Sequence, residues 1–287
     1  VYKRQVLATA YQQSQLKIGN YIAKSLSVGD LFMAAIVPGL ILVFLYGLYF
    51  VFSLKKEVLT VDENQKHENF FKLISTLIPP FFLIFAVLGS IITGIASPTE
   101  AAGIGALGAI IIALIHKKLN LKILKESTTQ SAFISSMVFL ILIGASIFSL
   151  VFRGLGGEEL ITEIFNAIPG GLFGSMLLVM LLVFVLGFIL DFIEITFIVV
   201  PIVGPILMAM GADPLWLGVM LAINLQTSFL TPPFGFALFY LRSVTPETIS
   251  TESMYKGVFP FILIQILVLC LVAYFPFLAT LLPELIF

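Results

Sequence analysis

Leu31 to Phe52 runs without a single charged side chain. Wound as a helix at 1.5 Å per residue, that stretch is long enough to cross the hydrocarbon core of a bilayer, about 30 Å thick. Backbone N–H and C=O groups in lipid must find partners within their own segment, so helices and closed barrels are the only spanning solutions. Pro38-Gly39, near the start of the run, is expected to kink it. Further apolar runs follow: Leu73 to Ala96, interrupted at Pro79-Pro80; Ala101 to Ile115; Phe133 to Phe152; Leu172 to Leu190; and Gly257 to Leu282, with Pro260 and Pro276 inside it. With the broken region 191–242 this makes roughly seven or eight hydrophobic segments of about 20 residues. No period-two alternation points to a barrel. The fold class expected is an all-α integral membrane protein.

Composition excludes the main alternatives. The chain is 60% hydrophobic and 11% charged, against about 25% charged in soluble domains. A net charge of −1 gives no electrostatic footing for nucleic acid. Cys270 stands alone in an apolar run, so neither an internal disulfide nor a cysteine metal site can form. His67 and His116 lie beside lysines in polar connections and read as solvated loop residues. The connection 53–72 carries Lys55, Lys56, Lys66 and Lys72, and the next one carries Lys117, Lys118, Lys122 and Lys125. Both are expected on the cytoplasmic side. Arg153 to Gly171, with Glu158, Glu159 and Glu163, suits the outer face. Arg242, at a helix end, reads as an interfacial anchor.

The region 191–242 is hydrophobic but repeatedly broken, by Asp191, Glu194, Pro201, Gly204, Pro205, Gly211, Pro214 and Pro232-Pro233. Pieces at about 192–200 and 202–210 look too short to cross alone and suggest a re-entrant hairpin. Residues 215–230 and 234–242 look like one helix broken at Pro232-Pro233. A proline pair frees backbone carbonyls, which lipid tolerates only where they line a cavity or hold an ion. Asn224, Gln226, Thr227, Ser228 and Thr231, followed by Gly235, surround that break with neutral, hard oxygens suited to an alkali cation. At helical spacing Asn224, Thr227 and Ser228 share one face, and Thr231 continues it. The structural alternative is that these hydroxyls only satisfy neighbouring helices.

Asp191 and Glu194 stand three apart at the edge of an apolar run. A charge at bilayer depth costs at least ~2.5 kcal/mol. Asp191 is a candidate for cation coordination or proton coupling, and Glu194 reads as an interfacial residue at a helix end. Ser97-Pro98-Thr99-Glu100 joins two apolar halves. Ser97 and Glu100 have capping-box spacing with Pro98 at the first helical position, which explains the motif structurally. Ser97, Thr99 and Glu100 remain site candidates if the junction lies at membrane depth.

Several of these strings, in order, resemble the large membrane subunit (the DctM-type permease) of tripartite ATP-independent periplasmic (TRAP) transporters. They are Ser27-Val28-Gly29-Asp30-Leu31-Phe32, Thr93 to Ala102, Gly187 to Asp191 with Pro201 to Pro205, Asp213 to Gly218, and Asn224 through Pro232-Pro233 to Leu238. The resemblance runs from about residue 6 to the end. It implies two inverted repeats, each with a re-entrant hairpin and a broken helix, forming a transport domain that moves like an elevator. It also implies Na⁺ as coupling ion, an organic-acid solute, a soluble periplasmic binding protein that delivers it, a small four-helix membrane subunit as brace, and the bacterial inner membrane as location. No cofactor and no enzymatic activity are implied.

Val1 to Gln5 matches the translation of a transposon-end sequencing adaptor, so residues 1–5 are expected to be a non-native scar. Residues 6–287 then form the C-terminal portion of the membrane domain, with hairpin and broken helix at about 187–242. The first repeat's hairpin and broken helix would lie upstream of residue 6. Tyr11 to Ser27 is long for the connection it would make. A different sodium- or proton-coupled organic-anion carrier is the competing transporter reading. An intramembrane enzyme would need paired acids, a Ser–His pair or a zinc motif, and the sequence offers none.

Overall fold

A computed structural model describes residues 27–54, 70–190, 192–231, 235–246 and 249–286. Among these residues eleven helices follow one another, and there is no strand. They are α1 (Val28–Leu54), α2 (Phe70–Ile92), α3 (Pro98–Ile115), α4 (Leu121–Gly154), α5 (Gly157–Ala167), α6 (Gly171–Leu186), α7 (Phe192–Ala209), α8 (Pro214–Ser228), α9 (Phe236–Val244), α10 (Thr251–Tyr274) and α11 (Phe277–Ile286). Five of them, α1, α3, α4, α7 and α10, are long and apolar enough to cross a membrane. The pair α5–α6, bent by 117°, makes a sixth if it counts as one span. The chain is a multi-pass membrane protein, as expected. Residues 1–26, where the adaptor expectation falls, and 55–69, with His67, lie outside the described residues.

The helices divide between two compact units. The first, Leu48–Met137, holds α2, α3 and the adjoining ends of α1 and α4. Here α2 packs on α3. A Cβ at Gly108 would sit 2.2 Å from Leu83 Cδ1, so the missing side chain lets the two helices approach. Contrary to expectation, α2 runs unbroken through Pro79-Pro80. A continuous helix orphans only the carbonyls of residues 75 and 76, whereas a full break would strand a whole turn in lipid. The chain reverses at Gly94, in the left-handed region at φ +71°, and Ala96 N–H donates to Ser90 O at 3.0 Å.

The second unit contains residues 27–47 and 138–286, and α8 is its centre. Helices α6, α7, α10 and α11 all pack on it. Its Trp216, Leu217, Val219, Met220, Leu221, Ile223 and Leu225 are buried in the main apolar core. Two pieces were expected over 192–210, but α7 is one helix through Pro201 and Pro205. The reversal comes later. Gly211, at φ +103°, ends α7 with Ala212 N–H bonded to Leu207 O at 3.0 Å. Asp213 then caps α8, accepting from Trp216 N–H at 2.8 Å, and Pro214 occupies the first turn. The two prolines stand four positions apart, so they remove adjacent bonds on one side of α7, and the helix continues on the other.

Three further expectations are corrected. Arg153 to Gly171 is not a plain link but contains α5, whose first turn carries Glu158 and Glu159 at the favourable positive end of the helix dipole. The helix expected to begin at Phe133 begins earlier, because α4 extends back to Leu121. The span expected over Gly257 to Leu282 divides into α10 and α11, as Pro276 removes an N–H and holds Phe275 outside the helical region, at φ −121° and ψ 76°.

The α5–α6 corner depends on glycine. Gly170 adopts φ +93°, and a Cβ at Gly174 would lie 2.2 Å from Pro169 O. Ser175 Oγ, fully buried, donates to Phe165 O at 3.2 Å across the corner. Gly174→Ala is therefore expected to destabilise the protein by about 1–3 kcal/mol, seen as earlier loss of helix by circular dichroism on heating in detergent. Gly144→Ala, whose Cβ meets nothing within 4 Å, is expected to melt with the parent or slightly above it. Equal melting of the two variants would contradict the corner as described.

Candidate functional site

The C-terminal end of α8 is where the chain loses regular structure. Pro232 and Pro233 have no N–H, so the carbonyls of Ser228 and Phe229 cannot receive the usual bond from four residues on. The preceding turn tightens: Phe229, Leu230 and Thr231 N–H groups each donate to the carbonyl three residues back, at 3.1–3.2 Å. Beyond the break, Ala237 N–H at the start of α9 donates to Phe229 O at 3.2 Å, tying the two helical pieces together. Pro232 and Pro233 themselves lie outside the described residues, as does Asp191.

Gly235 shows how tightly this junction closes. A Cβ there would sit 2.8 Å from Phe229 O and 3.1 Å from Thr231 O. Two main-chain carbonyl oxygens thus converge on one backbone position that admits no side chain. Thr231, 8% exposed, donates its hydroxyl to Thr227 O at 2.6 Å. Buried Thr227 donates to Ile223 O at 3.0 Å, and Ser228 to Leu225 O at 2.8 Å. Each of these hydroxyls spends its proton on the helix and keeps its oxygen lone pairs as acceptors.

Asn224 is fully buried. Its amide nitrogen donates to Met180 O on α6 at 2.7 Å, and its Oδ1 is buried without a partner. An orphaned amide oxygen at this depth costs stability unless something else satisfies it. Asn224 precedes Thr231 by two helical turns, about 10 Å of rise, and helical side chains lean toward the N-terminus. The expected face therefore resolves into two levels: Asn224 against α6, and Thr227, Thr231 and Gly235 at the break. Gln226 is exposed on another side of α8.

Ser97, Thr99 and Glu100 belong to the first unit, and all three are exposed. Ser97 and Glu100 form the full capping box: Ser97 N–H donates to Glu100 Oε2 at 2.7 Å, and Glu100 N–H donates to Ser97 Oγ at 3.4 Å. Pro98 occupies the first turn of α3. Glu194, half-buried, lies in the first turn of α7, where its charge suits the helix dipole.

Some participants were not legible in advance. A Cβ at Gly187 would lie 2.4 Å from Ser228 Oγ, so this glycine lets the end of α6 close on the end of α8. Phe192 packs on Phe229 with ring centroids 5.0 Å apart. Gly187 belongs to a motif recognised in the sequence, yet nothing local announces its partner 41 positions away. Among the described residues no three of His, Cys, Asp and Glu come together, so the donors around the break are neutral oxygens.

Comparison with known proteins agrees with this architecture. The family model for the tripartite ATP-independent periplasmic transporter, DctM component, matches residues 17–278. The sialic acid TRAP transporter large permease protein SiaM of Vibrio cholerae is 29% identical over 274 residues, covering 92% of this chain and 62% of that protein. The C4-dicarboxylate TRAP transporter large permease protein DctM of Rhodobacter capsulatus is 29% identical over 265 residues, covering 91% and 59%. The ectoine TRAP transporter large permease protein TeaC of Halomonas elongata is 26% identical over 268 residues, covering 93% and 62%. The chain spans about three fifths of the length of the curated relatives it matches. These relatives are permease subunits and not enzymes. With a helical membrane fold and a family match over most of its length, the chain belongs to the DctM component family of tripartite ATP-independent periplasmic transporters.

Proposed function

We propose that this chain supplies part of the large permease subunit of a secondary active transporter, contributing one broken-helix half of its transport site. The solute is an organic acid, handed over by a soluble periplasmic binding protein. A small four-helix membrane subunit braces the assembly, a sodium gradient drives uptake, and the site-bearing helices move as an elevator. Two of the three relatives above carry an acid in their names, sialic acid and C4-dicarboxylate, which supports the solute class.

The observation that carries the reading is the convergence of Phe229 O and Thr231 O on Gly235, at a proline break closing a buried helix. Uncharged carbonyls and hydroxyls suit a monovalent alkali ion, because they replace its water without leaving excess negative charge. Phe229, Thr231 and Thr227 would hold the ion through oxygen atoms. When bound, the ion supplies a positive charge beside the pocket, to which a carboxylate solute is drawn. It biases the carrier only by its difference in affinity between the two end states. Asn224 in this reading pins α8 to α6 and presents its free Oδ1 at a second level.

The test is thermal unfolding in NaCl against KCl at equal ionic strength. An ion that binds only the folded state stabilises it by RT ln(1 + [L]/Kd), about 1.4 kcal/mol at ten times Kd. The parent is expected to melt higher in NaCl. Gly235→Ala fills the cradle and is expected to lose that difference. Asn224→Leu removes the orphaned oxygen and is expected to melt near the parent in KCl while keeping its sodium response. Loss of the response in Asn224→Leu alone would move the ion to the second level. Identical parent curves in the two salts would sink the sodium assignment and favour proton coupling through Asp191.

A further inference from the structure

Positive charge gathers where α3 hands over to α4. Lys117, Lys118, Lys122 and Lys125 are all exposed, and against Glu126 alone they leave an excess of three positive charges over residues 116–126. Lys117 adopts φ +53° in the turn that ends α3, with its N–H on Leu114 O and that of Lys118 on Ala113 O, both at 2.9 Å. Glycine is favoured at such a position, so lysine is held there at some cost. These two lysines at least complement the carbonyl end of α3. Lys122 and Lys125 have no such account. They stand at the positive end of α4, whose first turn contains no acid. The pair from Lys122 to Glu126 is 3.9 Å long, with side chains 84% and 62% exposed, and is weak for that reason.

Lys122, Lys125, Glu126, Thr129, Gln130 and Phe133 recur at helical spacing along one stripe of α4 and line an open groove of about 410 Å³. The groove begins at the lysines and ends at Phe133, which is 71% exposed. At 34 residues α4 is far longer than the hydrocarbon core requires. Its first dozen residues therefore stand at headgroup level, and Phe133 begins the apolar part.

We propose that this stripe binds an anionic phospholipid of the surrounding bilayer. The phosphate sits at Lys122 and Lys125, with Lys117 and Lys118 flanking, and an acyl chain follows Phe133 toward the hydrocarbon. The change from charge to aromatic along one face fits a lipid and not a free anion, which would leave Phe133 without a role. The experiment titrates phosphatidylglycerol and, separately, phosphatidylcholine into the full chain in neutral detergent, with native mass spectrometry as readout. Phosphatidylglycerol is expected to bind more tightly, with a preference that shrinks as salt rises. The double variant Lys122→Gln/Lys125→Gln is expected to lose about thirtyfold in phosphatidylglycerol affinity, about fivefold per lysine, with phosphatidylcholine unaffected. Phe133→Gln is expected to weaken phosphatidylglycerol binding, and Lys256→Gln, exposed on α10, to leave it unchanged. Equal affinity for the two lipids, an undiminished preference in the double variant, or equal competition by inorganic phosphate would overturn the proposal.

Discussion

A buried membrane helix cannot exchange a lost hydrogen bond for water, and the second unit is built around one such helix. α8 is held near its start by the Trp216 indole, whose Nε1–H donates to Val272 O on α10 at 2.8 Å. It is held two turns later by the Asn224 amide on Met180 O of α6. Between these ties its side chains fill the common core. The break at Pro232-Pro233 follows directly. The carbonyls that lose their usual donors there find others: Ser228 O accepts from Thr231 N–H and Phe229 O from Ala237 N–H, with Gly235 bringing α9 back onto Phe229 O.

Much of the fold was legible because lipid makes the hydrophobic signal strong. The apolar runs, the all-helical character of the described residues and the capping box at Ser97 and Glu100 all follow from residues read in order. Proline was harder. Pro79-Pro80 and Pro201/Pro205 promise breaks that α2 and α7 do not make, while Pro276 separates α10 from α11. The difference lies in what surrounds each proline. Inside a packed or lipid-facing helix a kink loses one or two bonds, and a break loses a turn. At a helix end the turn is already ending. Sequence alone does not say which situation a proline occupies.

The site was legible as a neighbourhood and less so as a geometry. Periodicity expects Asn224, Thr227 and Thr231 on one face and compresses them into a single set; Asn224 and Thr227 lie in α8, Thr231 lies just beyond its end, and the chain's rise spreads them over two levels. Gln226 carried the right chemistry on a different side. Gly187 and Met180 were invisible as partners because their contribution is a missing side chain in one case and a backbone carbonyl in the other. Such contributions leave no mark in a side-chain pattern.

Trp216 is the sole tryptophan in the chain, and it is 7% exposed with its indole N–H already engaged. Near-ultraviolet excitation at the red edge therefore addresses one ring on the one helix that organises the unit. Its emission maximum and lifetime report whether that indole stays dry and bonded to Val272 O. A conformational cycle that carries α8 and α10 as one block leaves this signal silent, and one that shears them apart shifts it. The protein thus carries its own optical gauge of which helices travel together, with no label introduced.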